Sequence, residues 1–149
     1  MSLPLLHSPA DILRALVIDL GQGADPDLGG NWPVYATNEP SMPDNVITLY
    51  DTTPQYDMRA MVDGESSFHW AYQVRVRSAS HPAGLVKMDA IRVALDEQIY
   101  ANALTLGSAH YVVYNVAKSG GILYLGVDNP SSKRSLFTLN GYVALRRLS

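Results

Sequence analysis

The stretch HWAYQVRVRS, residues 69–78, alternates without a break. Trp70, Tyr72, Val74 and Val76 fall on one side; His69, Ala71, Gln73, Arg75 and Arg77 fall on the other. Successive side chains of a strand point to opposite faces of a sheet, so this period of two specifies a half-buried β-strand. The apolar side requires a core to lie on, and the strand requires neighbours to pair with. Its other side carries two arginines two residues apart, and what that side meets is the functional question.

The segments around it supply the core and the neighbours. Ser8, Pro9 and Asp11 form a helix start: the hydroxyl caps free N–H groups, proline suits the first turn, and the acid favours the positive end of the dipole. Ile12, Leu13, Leu16, Val17 and Leu20 recur at helical spacing and Gly21 is a stop, so a helix is expected over residues 9–20. Residues 21–45 are rich in Gly, Pro, Asp and Asn and read as a long loop, with a short strand at Val34–Ala36. VITLYDT, residues 46–52, is a β-branched strand. Residues 52–67 read as an exposed hairpin or long loop turning at Asp63-Gly64. From Pro82 the period becomes helical, with Met88, Ile91, Leu95 and Ile99 in one stripe and Asp89, Arg92, Asp96 and Glu97 opposite. AHYVVYNVA, GILYLGVD and SLFTLNGYVALRR then read as three closing strands, separated by Gly120-Gly121 and Asp128-Asn129-Pro130. The expected fold is α+β in the order α-β-β-β-α-β-β-β, a mainly antiparallel sheet of five to six strands with two helices packed on it.

A chain of 149 residues is most simply one domain, and at this size about 68–70% of the unfolded surface is buried on folding. Cysteine is absent, which removes any disulfide framework, thiolate metal site or cysteine nucleophile and suits a reducing compartment. A formal charge of −3 and a pI near 5.7 argue against nucleic-acid binding through bulk charge. The first twenty residues lack a positive leading region and are interrupted by Asp11, Arg14 and Asp19, so neither a signal core nor a membrane span is expected. The reading is a soluble protein made in the cytoplasm.

Motifs that would carry chemistry are not found. Gly21-x-Gly23 follows a helix instead of a strand and has Pro26 where a third glycine belongs, so it does not make a dinucleotide turn. There is no phosphate-binding G-x-x-x-x-G-K-[ST] loop and no G-x-S-x-G elbow. Asp51, Asp57, Asp63 and Glu65, with His69, match no metal-ligand or acid–base spacing, and a solvated loop needs such charges. His7, His69, His81 and His110 are scattered. No catalytic residue, cofactor or metal is expected. For Arg75 and Arg77, taken on spacing alone, ordinary solvation of a strand face competes with an interface role.

The order of features as a whole resembles the tail-terminator, or minor capsid, family of long-tailed bacteriophages. The resemblance rests on an aliphatic strand ending in Tyr-Asp (Leu49-Tyr50-Asp51), a Gln-Val-Arg-Val-Arg strand (residues 73–77) and a segment like the family's Pro-x-Tyr-Leu-Gly-x-Asp before a long final strand (residues 123–128). It spans nearly the whole chain, and Ile122-Leu123 stands where the family often has proline. It implies a structural virion protein without catalysis: a ring, hexameric in the family, that terminates the tail tube and joins it to the head connector or stopper. DNA would pass through the lumen unread, no membrane would be involved, and assembly would take place in the host cytoplasm. The resemblance also moves Arg75, Arg77 and Gln73 toward an oligomer or docking interface, facing acids such as Asp57, Asp63 or Glu65 on a neighbour's loop. The two long loops, residues 21–45 and 52–67, would be the arms that reach it. A small ligand-binding or regulatory α+β domain is the alternative, and an enzyme using the 51–65 acids trails both.

On this reading Arg75→Glu should leave the monomer folded but block ring closure or docking, because a charge reversed on a wet face costs folding little. Val74→Asp should instead lower the melting temperature sharply by burying a charge. Thermal melts and sizing of the two variants separate the faces, and normal stability of Val74→Asp would mean that they are reversed.

Overall fold

The computed structural model describes residues 3–53, 55–59, 66–96 and 102–148. In chain order these form α1 (Pro9–Asp19), β1 (Val34–Ala36), β2 (Val46–Asp51), β3 (Gln55–Arg59), β4 (Ser66–Ser78), α2 (His81–Asp96), β5 (Asn102–Leu106), β6 (Ala109–Lys118), β7 (Leu123–Val127) and β8 (Ser135–Arg147). The fold is α+β, and the expected order is present with β3 and β5 added to it. Neither addition has a distinctive pattern of its own. β3 lies in the stretch expected to be a hairpin or loop, and β5 is a five-residue edge strand joined to β6 by a turn at Gly107, whose φ is +59°.

The sheet runs β1-β2-β4-β8-β6-β5, with β3 also on β4 and β7 also on β8. β1 pairs with β2 in parallel, and every other pairing between these strands is antiparallel. β4, which carries the alternating stretch of residues 69–78, is therefore central, flanked by β2 from Tyr72 to Arg77 and by β8 from Trp70 to Ser78. Its apolar side falls as read. Tyr72, Val74 and Val76 are buried in the core, with Trp70 packed against its margin.

Both helices lie on that one face. α1 contributes Ile12, Leu13, Leu16 and Val17, and α2 contributes Met88, Ile91 and Leu95, to a cluster completed by Ile47, Leu49, Phe137, Leu139 and Val143 of the sheet. The Ile99 and Glu97 expected at the end of the second helix lie outside the described residues. At the start of α1 the Ser8 Oγ accepts from the Asp11 N–H at 3.2 Å, and Asp51 at the end of β2 accepts from the Ala10 N–H at 2.9 Å. A carboxylate at a helix N-terminus satisfies free donors and the dipole together, so Asp51 pins helix to sheet.

α2 comes so close to the sheet that one of its residues cannot carry a side chain. A Cβ on Gly84 would lie 2.6 Å from Phe137 Cε2 and 2.9 Å from Ser78 Cβ. Gly84→Ala removes a helix-weakening residue, which by itself would be stabilising, yet here it must push α2 off β8. A net loss of about 1–3 kcal/mol is expected, the usual cost of overpacking, and urea unfolding of the variant measures it.

Candidate assembly surface

With both helices on one side, the other side of the sheet is open, and β1–β2 pairing determines what lies on it. Adjacent parallel strands need a crossover connection. Residues 37–45 return from the end of β1 to the start of β2 across this open side, carrying Glu39, Pro43 and Asp44 over the arginines of β4.

Arg77 is held there by its whole guanidinium. Its Nη2 donates to the Pro43 carbonyl at 2.6 Å, its Nε donates to the Asp44 carbonyl at 3.3 Å, and its Nη1 lies 3.8 Å from Glu39 Oε2. The residue is buried, 3% exposed. Burial and the neighbouring Arg134 charge lower its pKa, with Glu39, Asp128 and Asp44 opposing; it remains a cation at any pH at which the protein folds. Arg75 Nη1 lies 3.7 Å from the same Glu39 oxygen, and its guanidinium carbon sits 5.9 Å from the centre of the Tyr50 ring. Partial burial and the Glu39 charge push the Tyr50 phenol up, against the pull of Arg75. Gln73 Nε2 donates to Asn140 Oδ1 at 3.1 Å.

A third arginine closes the lower end. Arg134 donates to Asp128 through Nε at 2.7 Å, with Nη2 at 2.6 Å from the same carboxylate oxygen. Its Nη1 donates to the Ser41 carbonyl and lies 3.4 Å from Asp44. Asp128 also accepts from the Asn129 and Arg134 N–H groups and the Ser132 hydroxyl. Desolvation would raise its pKa, but these bonds overcome it and hold the carboxyl down at about 2. Within this network Glu39 Oε1, Arg75 Nε and Thr48 Oγ1 are buried without a hydrogen-bond partner.

The structure thus brings Arg75 and Arg77 together on Glu39 of the same chain, an acid that the sequence analysis did not single out. The alternation puts both on the side expected to face solvent or a neighbour; Arg77 is instead covered by the crossover, because its strand's polar side has a lid. Glu39 sits in a Gly/Pro-rich loop with no periodicity, so nothing local marks it. Asp57 is on β3 with its side chain outside the described residues, and Asp63 and Glu65 lie outside them altogether, as does the side chain of His69.

The remaining histidines are dispersed. His7 Nδ1 is 2.8 Å from the Tyr111 hydroxyl, His110 Nδ1 is 3.1 Å from Thr105 Oγ1, and His81 packs on the rings of Tyr124 and Phe137. Among the described residues no group of three or more His, Cys, Asp or Glu is placed to hold a metal, and no helix is long and apolar enough to cross a membrane. An open groove of about 470 Å³ lies beside the crossover, bounded by Trp32, Pro33, Pro43, Asp44, Asn45 and Ala79. A scan against models of protein families finds no match for the chain, and a search of curated proteins finds none.

Two expectations follow from the network. Arg77→Ala leaves two carbonyls without their donor and takes away one of the two arginines facing the half-buried Glu39, and should cost about 2–3 kcal/mol. Arg75→Ala should cost about 1 kcal/mol or less, and Arg75→Glu more than Arg75→Ala because it sets two carboxylates side by side. Chemical denaturation ranks the three. Asp128, whose folded pKa is depressed, stabilises the fold above its unfolded value near 3.8 and loses that contribution as pH falls toward about 2. Asp128→Asn should therefore flatten the acid limb of a denaturation midpoint–pH profile between about pH 4 and 2.

Proposed function

We propose that this chain is a structural protein of the tail-terminator kind, which assembles into a ring at the end of a phage tail tube and joins the tube to the head connector. The observation that carries the reading is the reach of β4. Its residues 66–69 precede the pairings with both β2 and β8, and Ser66, Phe68 and His69 pair with β3. β3 and the start of β4 therefore form a two-stranded arm beyond the main sheet. A lone two-stranded hairpin is marginal in water, and an arm of this shape is suited to resting on a neighbouring subunit or the adjoining ring.

The residues on which the resemblance rests support the same reading by what they touch. Tyr50 stacks under Arg75, Asp51 caps α1, Gln73 meets Asn140, and Asp128 locks the turn before β8. Each is occupied in holding the framework, as befits a protein whose product is a shape. The ring would be a hexamer if it follows the family, with the tail tube protein on one side, the connector or stopper on the other, and DNA passing through the lumen.

Sizing and negative-stain micrographs of the purified protein, alone and mixed with isolated tail tubes, test this. Rings in solution or caps on tube ends are expected, and tails made without the protein should have uncontrolled lengths. A chain that stays monomeric at every concentration and leaves tube ends bare would overturn the reading in favour of a small binding domain.

A further inference from the structure

A closed ring of identical subunits needs a heterologous contact, in which two different surfaces of the same subunit complement each other. The chain carries its charge in a form suited to such a contact. Among the described residues, 3–53 hold seven acids and one base, whereas 102–148 hold one acid and five bases. Glu39 and Asp44 are taken up by Arg75, Arg77 and Arg134, and the sheet order sets the strands of the two segments apart. β1 and β2 come from the acidic segment and stand at one edge, while β8, β6 and β7 come from the basic segment and stand toward the other.

Each side also presents apolar surface. On the basic side, β7 is hydrogen-bonded to β8 along one edge, and no described strand pairs with its other edge. Leu123, Tyr124, Leu125 and Val127 of β7 are each 44–55% exposed. An uncovered apolar edge strand is an association site that monomeric proteins normally suppress with charge, proline or a covering segment. Lys133, exposed, stands in the turn that follows it. On the acidic side, Ala24 bridges Pro33 and its carbonyl accepts from the Val34 N–H, which places the intervening loop beside β1. Leu28 projects from that loop 85% exposed, with the exposed Asp27 next to it.

The two patches lie at the same end of the sheet. β8 runs parallel to β2, since both are antiparallel to β4, and β1 runs parallel to β2. The Leu28 loop leads into the start of β1, and the turn carrying Lys133 leads into the start of β8. They are therefore level along the strand direction and four strand spacings apart, roughly 19 Å. A contact between level patches on opposite edges propagates around an axis along the strands without climbing, as a closed ring requires.

We propose that the β7 edge with its following turn is the docking surface for a second copy of this chain, and that the Leu28 loop of that copy is what it receives. Leu28 covers the apolar β7 residues and Asp27 faces Lys133. The proposal rests on the ring reading above and adds which surfaces make the contact. It also assigns the ring contact to the two sheet edges, away from Arg75 and Arg77, which the crossover already occupies.

The absence of cysteine allows a clean test. Leu28→Cys/Leu125→Cys in one chain, treated with a short bis-maleimide under conditions where rings are seen, should give a ladder of linked species on a denaturing gel. Leu28→Cys alone and Leu125→Cys alone should stay monomeric. Asp27→Lys and Lys133→Glu should each reduce the fraction assembled, and the two together should restore it. Linked dimers from Leu125→Cys alone would mean an edge-to-edge contact between identical patches and would overturn the proposal. So would an unlinked double variant in a preparation that micrographs show as rings, and in that case the ring reading stands. If the wild-type chain assembles under no condition, the ring reading falls and the proposal with it.

Discussion

The structure depends on one central strand whose two sides are chemically unlike. β4 is hydrogen-bonded to β2 on one edge and β8 on the other, so the position of each strand in the main sheet is set by register to it. Its apolar side obliges both helices to share one face, where Tyr72, Val74 and Val76 meet the stripes of α1 and α2. A one-residue slip would exchange the two sides and place Arg75 and Arg77 in that core, so the register is strongly specified. Close approach is part of the same constraint. Gly84 lets α2 onto Phe137, and Gly141 on β8 leaves room for the Tyr72 hydroxyl, which a Cβ there would meet at 2.6 Å.

The polar side of β4 has a different logic. Parallel pairing of β1 with β2 sends residues 37–45 across it, and the arginines that would otherwise face water become the fastenings of that crossover. Arg77 donates to the backbone carbonyls of Pro43 and Asp44, and Arg134, just before β8, donates to that of Ser41. The segment is therefore secured by charged side chains acting on its main chain, with Met42 left outside. The contacts from Glu39 to Arg75 and Arg77, at 3.7 and 3.8 Å, are ion pairs too long to be hydrogen bonds, and they leave buried polar atoms unsatisfied. A wholly apolar lid would avoid that cost. The compensating property is position: Glu39 can sit over two arginines in only one register of the crossover.

The proposed function draws on the same asymmetry at a larger scale. A domain with an exposed acid and leucine beside one sheet edge, and an exposed lysine beside an apolar strand toward the other, has a built-in direction of association. The arm formed by β3 and the start of β4 extends from the middle of the sheet, so under this proposal the contact between neighbours and the reach beyond them would arise from separate elements. That division suits a protein that must close a ring and also hold on to what lies above and below it.

How much of this was legible in the sequence can be judged residue by residue. Periodicity alone determined α1, α2, β2, β4 and β8, and with them the core, because burial of a face is written into spacing of 3.6 or 2. It also determined which side of β4 is apolar and where Ser8 and Gly21 bound the first helix. It did not show β5, which has no distinctive pattern of its own, nor β3, where the stretch reads as turn chemistry. Only the tertiary structure decided that β1 lies parallel to β2, that a nine-residue loop consequently covers the arginines, and that Glu39 is their partner. Local patterns record what a residue's own segment buries, whereas Arg77 and Glu39 meet because two distant strands are neighbours in the sheet, and no spacing along the chain encodes that adjacency.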